Sequence, residues 1–484
     1  MHKRLVFNIV SRAVFIVCFF LLLPLFWAIY DNPCSIETNA FVVTIGVGLL
    51  LATAGRIFFP LKEHDFEFMN TKDALASVGI LWIFLSLWGA MPLWLSGVVE
   101  TYTDAFFEIA SGYTTTGASI FSDIEQLPRG ILFWRSLTHW IGGMGVIVLY
   151  VALLPAFGGS AYQLYKAETS GLTVDRAAPR LRENAKRLWL IYFLFSGVCL
   201  GLLLFGKMPF FDALCHTFGA IATGGFSTKN SSIGAYGPYV QWVLTIFMFA
   251  GGVNFLIYYR LFQGKSLKIF QDEEFRLFAC LAAFFSLFFA GFLWVKGDVT
   301  APLRTASFQV VSILTATGYA TADFDRWPDL MRCLLLFFMF IGGCAGSTSG
   351  GLKIVRFLLL VKFSVQSTMK AVYPHAVMPT RFNNKKVSEQ TVTNILIYFF
   401  LFAALIFTGT LLILLFERTD IMTAVSAALS AASSVGPGLA RVGPAENYAW
   451  MSIYGKWVLI FLMLAGRLEL YAILALFLPA TWKK

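Results

Sequence analysis

The chain has 484 residues, 58% of them hydrophobic and 13% charged, with a mean hydropathy of +0.72 and a formal net charge of +10. Soluble domains carry about 25% charged residues, so this composition excludes a water-bathed globule. It predicts an all-α polytopic membrane protein, because apolar runs of about 20 residues match a bilayer core. The excess of Lys and Arg, 37 against 27 acids, then reads as cytoplasmic loops facing membrane lipid headgroups, and no nucleic-acid partner is expected.

In chain order, the first apolar stretch, 13–30, is long for a signal peptide and has no A-x-A-like site after it, so it is expected to stay as a helix. Candidate spans follow near 10–30, 39–60, 75–97, 131–156, 187–206, 239–260, 277–296, 331–362, 391–416 and 452–480. Between pairs of them lie four short segments, near 104–118, 212–226, 305–320 and 423–438. They are too short to cross a membrane and unusually rich in Gly, Ser and Thr. Three connectors are basic: 158–187 with Lys166, Arg176, Arg180, Arg182, Lys186 and Arg187; 260–276 with Arg260, Lys265, Lys268 and Arg276; and 353–386 with Lys353, Arg356, Lys362, Lys370, Arg381, Lys385 and Lys386. The positive-inside rule assigns all three to the cytoplasm. Lys3, Arg4 and Arg12 put the N-terminus there, and ten spans return Lys483 and Lys484 to the same side. The four short segments then all dip in from outside. The seven cysteines are scattered, form no C-x-x-C and read as packing residues.

The short segments align on Gly117, Gly225, Gly318 and Gly436 without gaps. Twelve residues earlier stand Ala105, Ala213, Ala306 and Ala424, each preceded by Asp or Thr; six residues earlier stand Ser111, Gly219, Ser312 and Ser430. The turns read TTTGAS, ATGGFS, TATGYA and SSVGPG. Gly224 is an alternative anchor for the second copy, although the alanine spacing favours Gly225. The unit is span, short helix, glycine turn, span. Irregular backbone at membrane depth needs protein or water around it, and four such turns about one axis can aim carbonyl oxygens inward to replace the hydration shell of a monovalent cation. Short helices ending at the turns would present their negative C-terminal ends to that cation. The alternative, small residues serving only close helix packing, explains one such segment better than four in register.

These units resemble the Trk/Ktr/HKT superfamily of potassium transporters, in which a single chain looks like a fused tetrameric channel. TATGYA is the copy most similar to the channel signature TVGYG. The extra spans within 10–60 and the run IGGCAGSTSGGLKIVR, 341–356, resemble the TrkH/TrkG branch. The resemblance implies an N-terminal two-span extension, 1–73, and four pore repeats at 74–157, 158–260, 261–363 and 364–484. It implies potassium as the transported ion, a bacterial inner-membrane location, a homodimer, and a cytoplasmic TrkA-type partner that carries the nucleotide; no cofactor is expected in this chain. In the HKT relatives, serine at the first filter glycine goes with sodium transport, so Gly117 favours potassium.

By position, the expected selectivity filter comprises Thr115, Thr116 and Gly117; Ala222, Thr223, Gly224 and Gly225; Ala316, Thr317 and Gly318; and Ser434, Val435 and Gly436. Ala316 and Val435 lack hydroxyls, so coordination there falls to backbone carbonyls. The run Gly342, Gly343, Cys344, Ala345, Gly346, Ser347, Thr348, Ser349, Gly350, Gly351 has poor helix propensity and should break its span. In the resembling family this break is an intramembrane gate loop; a packing kink is the alternative. Arg467 is expected mid-span, where a charge is a functional candidate: the family places it in the pore near the loop, and a pair with Glu469 is the alternative. Asp104, Glu108, Asp212 and Asp323 are expected near the outer mouth, as cation attractors or as caps and solvated residues. His139 and His216 lack companions at metal-ligand spacing and read as packing residues. Neither H-E-x-x-H nor G-x-S-x-G occurs, which argues against an enzyme, and the parallel fourfold repeat argues against a carrier with inverted repeats. A sodium-permeable or proton-coupled transporter of the same superfamily remains the alternative function.

Overall fold

The computed structural model describes residues 3–60, 71–153, 177–262, 270–297, 300–375 and 378–482. Lys166, Arg176, Lys265, Lys268, Lys483 and Lys484 lie outside the described residues. Nearly everything else is helical; the one described hairpin pairs Arg381–Phe382 with Lys385–Lys386. Among the described residues, six helices are long and apolar enough to cross a membrane: Arg4–Asp31, Ile36–Phe58, Lys72–Leu95, Lys186–Phe205, Glu273–Lys296 and Glu389–Glu417. Large apolar side chains such as Leu50, Phe205, Trp294 and Phe400 stand exposed along them, the pattern of surfaces solvated by hydrocarbon rather than water.

The first of these spans is interrupted at Leu21, where one helix, Lys3–Phe20, gives way to the next, Leu22–Asp31. Pro24 has no amide proton, and its ring crowds the carbonyl four residues earlier, on Phe20. This N-terminal pair is tied to the rest of the protein by Glu37. Its buried carboxylate accepts from Ile131 N at 2.8 Å, at the start of the helix Arg129–Leu153, where unpaired amides need an acceptor.

Four units follow. Each has a first span, a short buried helix, an extended segment and a second span. The short helices are Tyr102–Tyr113, Phe210–Ile221, Pro302–Leu314 and Ile421–Ser433. Thr101 and Asp420 cap two of them through side-chain bonds to the amides of Asp104 and Thr423, and Pro302 opens the third where a missing amide costs nothing. The aligned alanines 105, 213, 306 and 424 are all fully buried: only a methyl fits where each short helix packs on its neighbours.

The second spans are broken in three units, and in two of them the break was not expected. In the second unit, Pro238–Gly252 and Phe255–Leu261 meet at 97°; the Gly251-Gly252 pair weakens the helix and Asn254 Oδ1 takes up the amide of Leu256 at 2.9 Å. In the third, Asp329–Ile341 and Ile354–Val372 are separated by the glycine-rich run, as its composition predicts. In the fourth, Ile453–Arg467 and Tyr471–Phe477 meet at 119°. Arg467 therefore ends a helix rather than sitting within one, because Glu469 and Leu470 adopt positive φ of 57° and 56°.

Candidate functional site

The four short helices end in the same backbone conformation. The residue two before each anchor glycine is left-handed, at Thr115 (φ 51°), Thr223 (51°), Ala316 (54°) and Ser434 (55°), and so are Gly117 (79°), Gly225 (84°), Gly318 (82°) and Gly436 (98°). The residue between takes its amide back to the helix each time: Thr116 N to Ser111 O at 2.9 Å, Gly224 N to Gly219 O at 2.8 Å, Thr317 N to Ser312 O at 2.8 Å, and Val435 N to Ser430 O at 3.0 Å. This register decides the ambiguous second copy for Gly225. Left-handed residues at alternate positions aim successive carbonyls to the same side of the chain, which an ordinary strand does not do.

The turns close on one another. A Cβ placed on Gly117 would lie 2.1 Å from Gly224 O; on Gly225, 2.1 Å from Thr317 O; on Gly318, 2.0 Å from Val435 O; and on Gly436, 2.6 Å from Thr116 O. Each glycine thus faces the carbonyl just before the next unit's glycine, and the fourth returns to the first. No side chain fits at any of the four. The three hydroxyls Thr114, Thr116 and Thr115 are all buried; Thr114 and Thr116 bond each other at 2.8 Å, as Thr315 and Thr317 do at 2.7 Å, while those of Thr115 and Ser434 have no partner among the described residues. Thr315 and Thr114, outside the expected filter, precede it as helix caps.

The run 342–351 packs against the C-terminal ends of the second, third and fourth short helices. Thr348 Oγ1 donates to Ile221 O at 3.0 Å and to Gly251 O at 3.1 Å, and Ser349 Oγ donates to Thr315 O at 2.6 Å. Cys344 N reaches Gly252 O at 2.9 Å. A Cβ on Gly350 would lie 1.9 Å from Ser433 O. The loop therefore uses carbonyls that the ends of two short helices and the break in a third helix leave unpaired, which explains how irregular backbone persists at this depth. Gly342, Gly346 and Gly351 have positive φ; Gly343 N bonds Ser349 Oγ at 3.0 Å, Ser347 Oγ donates to Cys344 O at 2.5 Å, and Ala345 N donates to Glu274 Oε1 at 2.7 Å. Arg467 Nη1 donates to Thr348 O at 2.6 Å, while its Nε and Nη2, also buried, find no partner among the described residues. The pair with Glu469 does not form: Glu469 bonds Arg356 instead.

The outer carboxylates separate. Asp104 pairs with Lys456 at 2.6 Å, Asp212 accepts from Thr228 at 2.7 Å, and Asp323 caps the turn at Asp325. Glu108 is neither a cap nor solvated: it is fully buried and paired with Arg135 at 2.6 Å. His139 and His216 are buried and each ring nitrogen has a partner: Gly112 O and Phe226 N for the first, Asp212 O and Ser227 Oγ for the second.

A family model described as TrkH, cation transport protein, matches residues 39–484. The chain belongs to the TrkH family. Across its whole length it is 38% identical to the Trk system potassium uptake protein TrkH of Salmonella typhimurium, covering all of that protein. It is 31% identical to the Trk system potassium uptake protein TrkG of Escherichia coli, over all of this chain and 99% of that one. The crystal structure of the potassium transporter TrkH from Vibrio parahaemolyticus superposes with a TM-score of 0.90 at 32% identity, over the full length of both chains. Family and fold class are thus those the four aligned turns imply.

Proposed function

We propose that this chain is the membrane subunit of a bacterial potassium uptake system, with the four glycine turns as its selectivity filter. The closed ring of glycine-to-carbonyl approaches carries this reading: it needs four turns in one register, and it leaves backbone oxygens as the only groups available at every level of the ring, including Ala316 and Val435. Rings of carbonyls are how a protein substitutes for the water around potassium. The likeness to proteins named for potassium uptake supports the same cargo.

The loop 342–351 is the gate in this reading, and Arg467 its latch. The loop's hydroxyls occupy the negative ends of the second and third short helices, the positions a cation leaving the filter would seek. The guanidinium holds Thr348 O and adds a positive charge on the inner side. Repeats spanning 74–157, 158–260, 261–363 and 364–484 after an extension of 1–73 divide the chain naturally. A cytoplasmic location of both termini and of the basic connectors, a TrkA-type nucleotide-binding partner docking there, and a homodimer in the inner membrane complete the proposal.

Radioactive rubidium uptake by purified protein in proteoliposomes tests it, with potassium and sodium as competitors. Potassium should suppress uptake at much lower concentration than sodium. Equal competition would replace the potassium reading by a sodium-permeable one, a requirement for a proton gradient would replace the channel by a coupled transporter, and no uptake would remove transport altogether. For orientation, a cysteine at exposed Ser231 should label from outside and one at exposed Ser367 only after permeabilisation; labelling of both from one side would break the fourfold topology.

A further inference from the structure

Each short helix carries a polar strut to the segment that leaves its own turn, and the four struts differ chemically. Nine residues before the anchor glycines stand Glu108, His216, Gln309 and Ala427. Glu108 accepts from Ser119 Oγ and Ile120 N, both at 2.9 Å. His216 Nε2 bonds Ser227 Oγ at 2.9 Å, and Gln309 Nε2 donates to Ala322 O at 3.1 Å. In the fourth unit alanine has no strut to offer, and the preceding residue, Ser426, takes the amide of Leu439 at 2.9 Å.

Neighbouring exit segments are also tied to one another. Tyr448 donates its amide to Ser119 O at 2.9 Å and its hydroxyl to Gly436 O at 2.7 Å, joining the fourth unit to the first. Tyr319 Oη donates to Phe226 O at 3.1 Å, joining the third to the second. Asp325 Oδ1 accepts from Ala440 N at 3.0 Å, joining the third to the fourth. First and second are joined at a distance from the turns by Ile124 N to Asn230 Oδ1 at 2.7 Å and Lys229 to Glu125 at 3.1 Å, and closer to the turns by Phe226 N to His139 Nε2 at 3.2 Å and by Arg135. Its Nε bonds Glu108 Oε1 at 2.7 Å, its Nη2 reaches Ser119 Oγ at 3.1 Å, and its guanidinium lies 4.2 Å from the centre of the Phe226 ring. Both partners of the ion pair are buried, with side-chain exposures of 1% and 0%.

Neutral struts suffice in the third and fourth units, so holding an exit segment does not require charge. A buried ion pair is also a poor source of stability compared with apolar packing, but a strong constraint on geometry. We infer that Glu108 and Arg135 are a positioning pair that sets the cation preference of the filter from behind it, by fixing the exits of the first and second turns relative to each other. The inference rests on the filter reading above. Glutamine keeps only one of the two acceptor oxygens, so either Ser119 Oγ or Ile120 N loses its partner, and the guanidinium is left uncompensated. The charge alone would oppose potassium and sodium equally. Displacement of the turn changes their ratio, because preference depends on where the carbonyls sit.

The test is Glu108→Gln in the full chain, purified and reconstituted, with rubidium uptake competed by potassium and by sodium. The preference for potassium over sodium should fall about tenfold, the scale on which sub-ångström misplacement acts, in protein that remains monodisperse. Ser119→Ala, which removes the hydroxyl bridging the two side chains and keeps the ion pair, should move the ratio the same way by a smaller factor. An unchanged ratio in folded Glu108→Gln overturns the inference; should that variant not fold, an unchanged ratio in Ser119→Ala does so. If the parent chain carries no rubidium, the transport reading falls and this inference with it. A parent that transports beside variants of unaltered preference sinks this inference alone.

Discussion

The turn-bearing and span-bearing halves of the four units obey different rules. The four turns share the same pair of left-handed residues, the same return hydrogen bond and the same approach to the next carbonyl. The second spans diverge: Arg129–Leu153 is continuous, two others bend by 97° and 119°, and the remaining one is interrupted by a loop. A site that surrounds a spherical cation gains from having every quarter alike. A barrier that opens and closes gains nothing from fourfold repetition, since one obstruction stops a single file of ions. The symmetric half is thus where preference for an ion is expected, and the asymmetric half where its passage is regulated.

The largest effect expected of a single residue is at the symmetric level. Gly318→Ser adds a Cβ at a φ of 82° and 2.0 Å from Val435 O, so the turn must move. The potassium-to-sodium preference in competition assays should fall by tenfold or more, and the equivalent change at Gly117 should do the same. Normal preference in either folded variant breaks the division between the halves. Deleting Cys344–Gly350 should act on the other half only, raising rubidium flux several-fold and relaxing its dependence on the cytoplasmic partner while preference is largely kept. A folded deletion protein that conducts no faster and still needs the partner removes the gate from this loop.

Arg467→Ala should raise flux less than the deletion, since it removes one bond to Thr348 O and one charge. Arg467→Lys, which keeps the charge without the planar fork, separates the two contributions: flux near the parent's assigns the effect to charge, flux near the alanine variant's to the bond. The smallest effect belongs to Asp420, the cap of the fourth short helix. Hydrogen bonds from the Thr423 hydroxyl and amide hold its carboxyl below the usual carboxylate range. A depressed folded-state value contributes stability above the unfolded carboxyl's titration, about pH 4, and loses it as pH falls further through the folded one. Melting of the parent in detergent should therefore weaken in that acid range more than melting of Asp420→Asn, which keeps a capping oxygen without the titration; coincident pH profiles would deny the cap any part in it.

Much of the symmetric half was legible in the sequence because it is built from residue types with few alternatives. Only glycine tolerates both the left-handed backbone and the close carbonyl, and only a small side chain fits at Ala105 and its counterparts. The run 342–351 announced itself by composition, since ten residues of Gly, Ser, Thr, Ala and Cys interrupt a Leu- and Phe-rich span. The two sharp bends did not. Their causes are Gly251-Gly252 beside Asn254 in one case and two ordinary residues, Glu469 and Leu470, forced to positive φ in the other. Neither alters the hydropathy of its segment. The Glu108–Arg135 pair was also hidden: 27 residues separate the two in sequence, and an acid in the first half of a short helix looks like a cap. The signal that would have found it is comparison of position nine before each glycine, where only the first unit carries a charge.

The glycine ring also has a direction. Every anchor faces a carbonyl of the unit that follows it, first to second, second to third, third to fourth and fourth to first. Damage at one quarter is therefore handed to its successor before it reaches its predecessor, as in a circle of people each leaning on the next. Because all four quarters belong to one polypeptide, a compensating change needs to arise only once, at one neighbour. A homotetramer would impose every change four times over. Here each quarter has been free to acquire its own imperfect signature, provided that the next one along could still bear its weight.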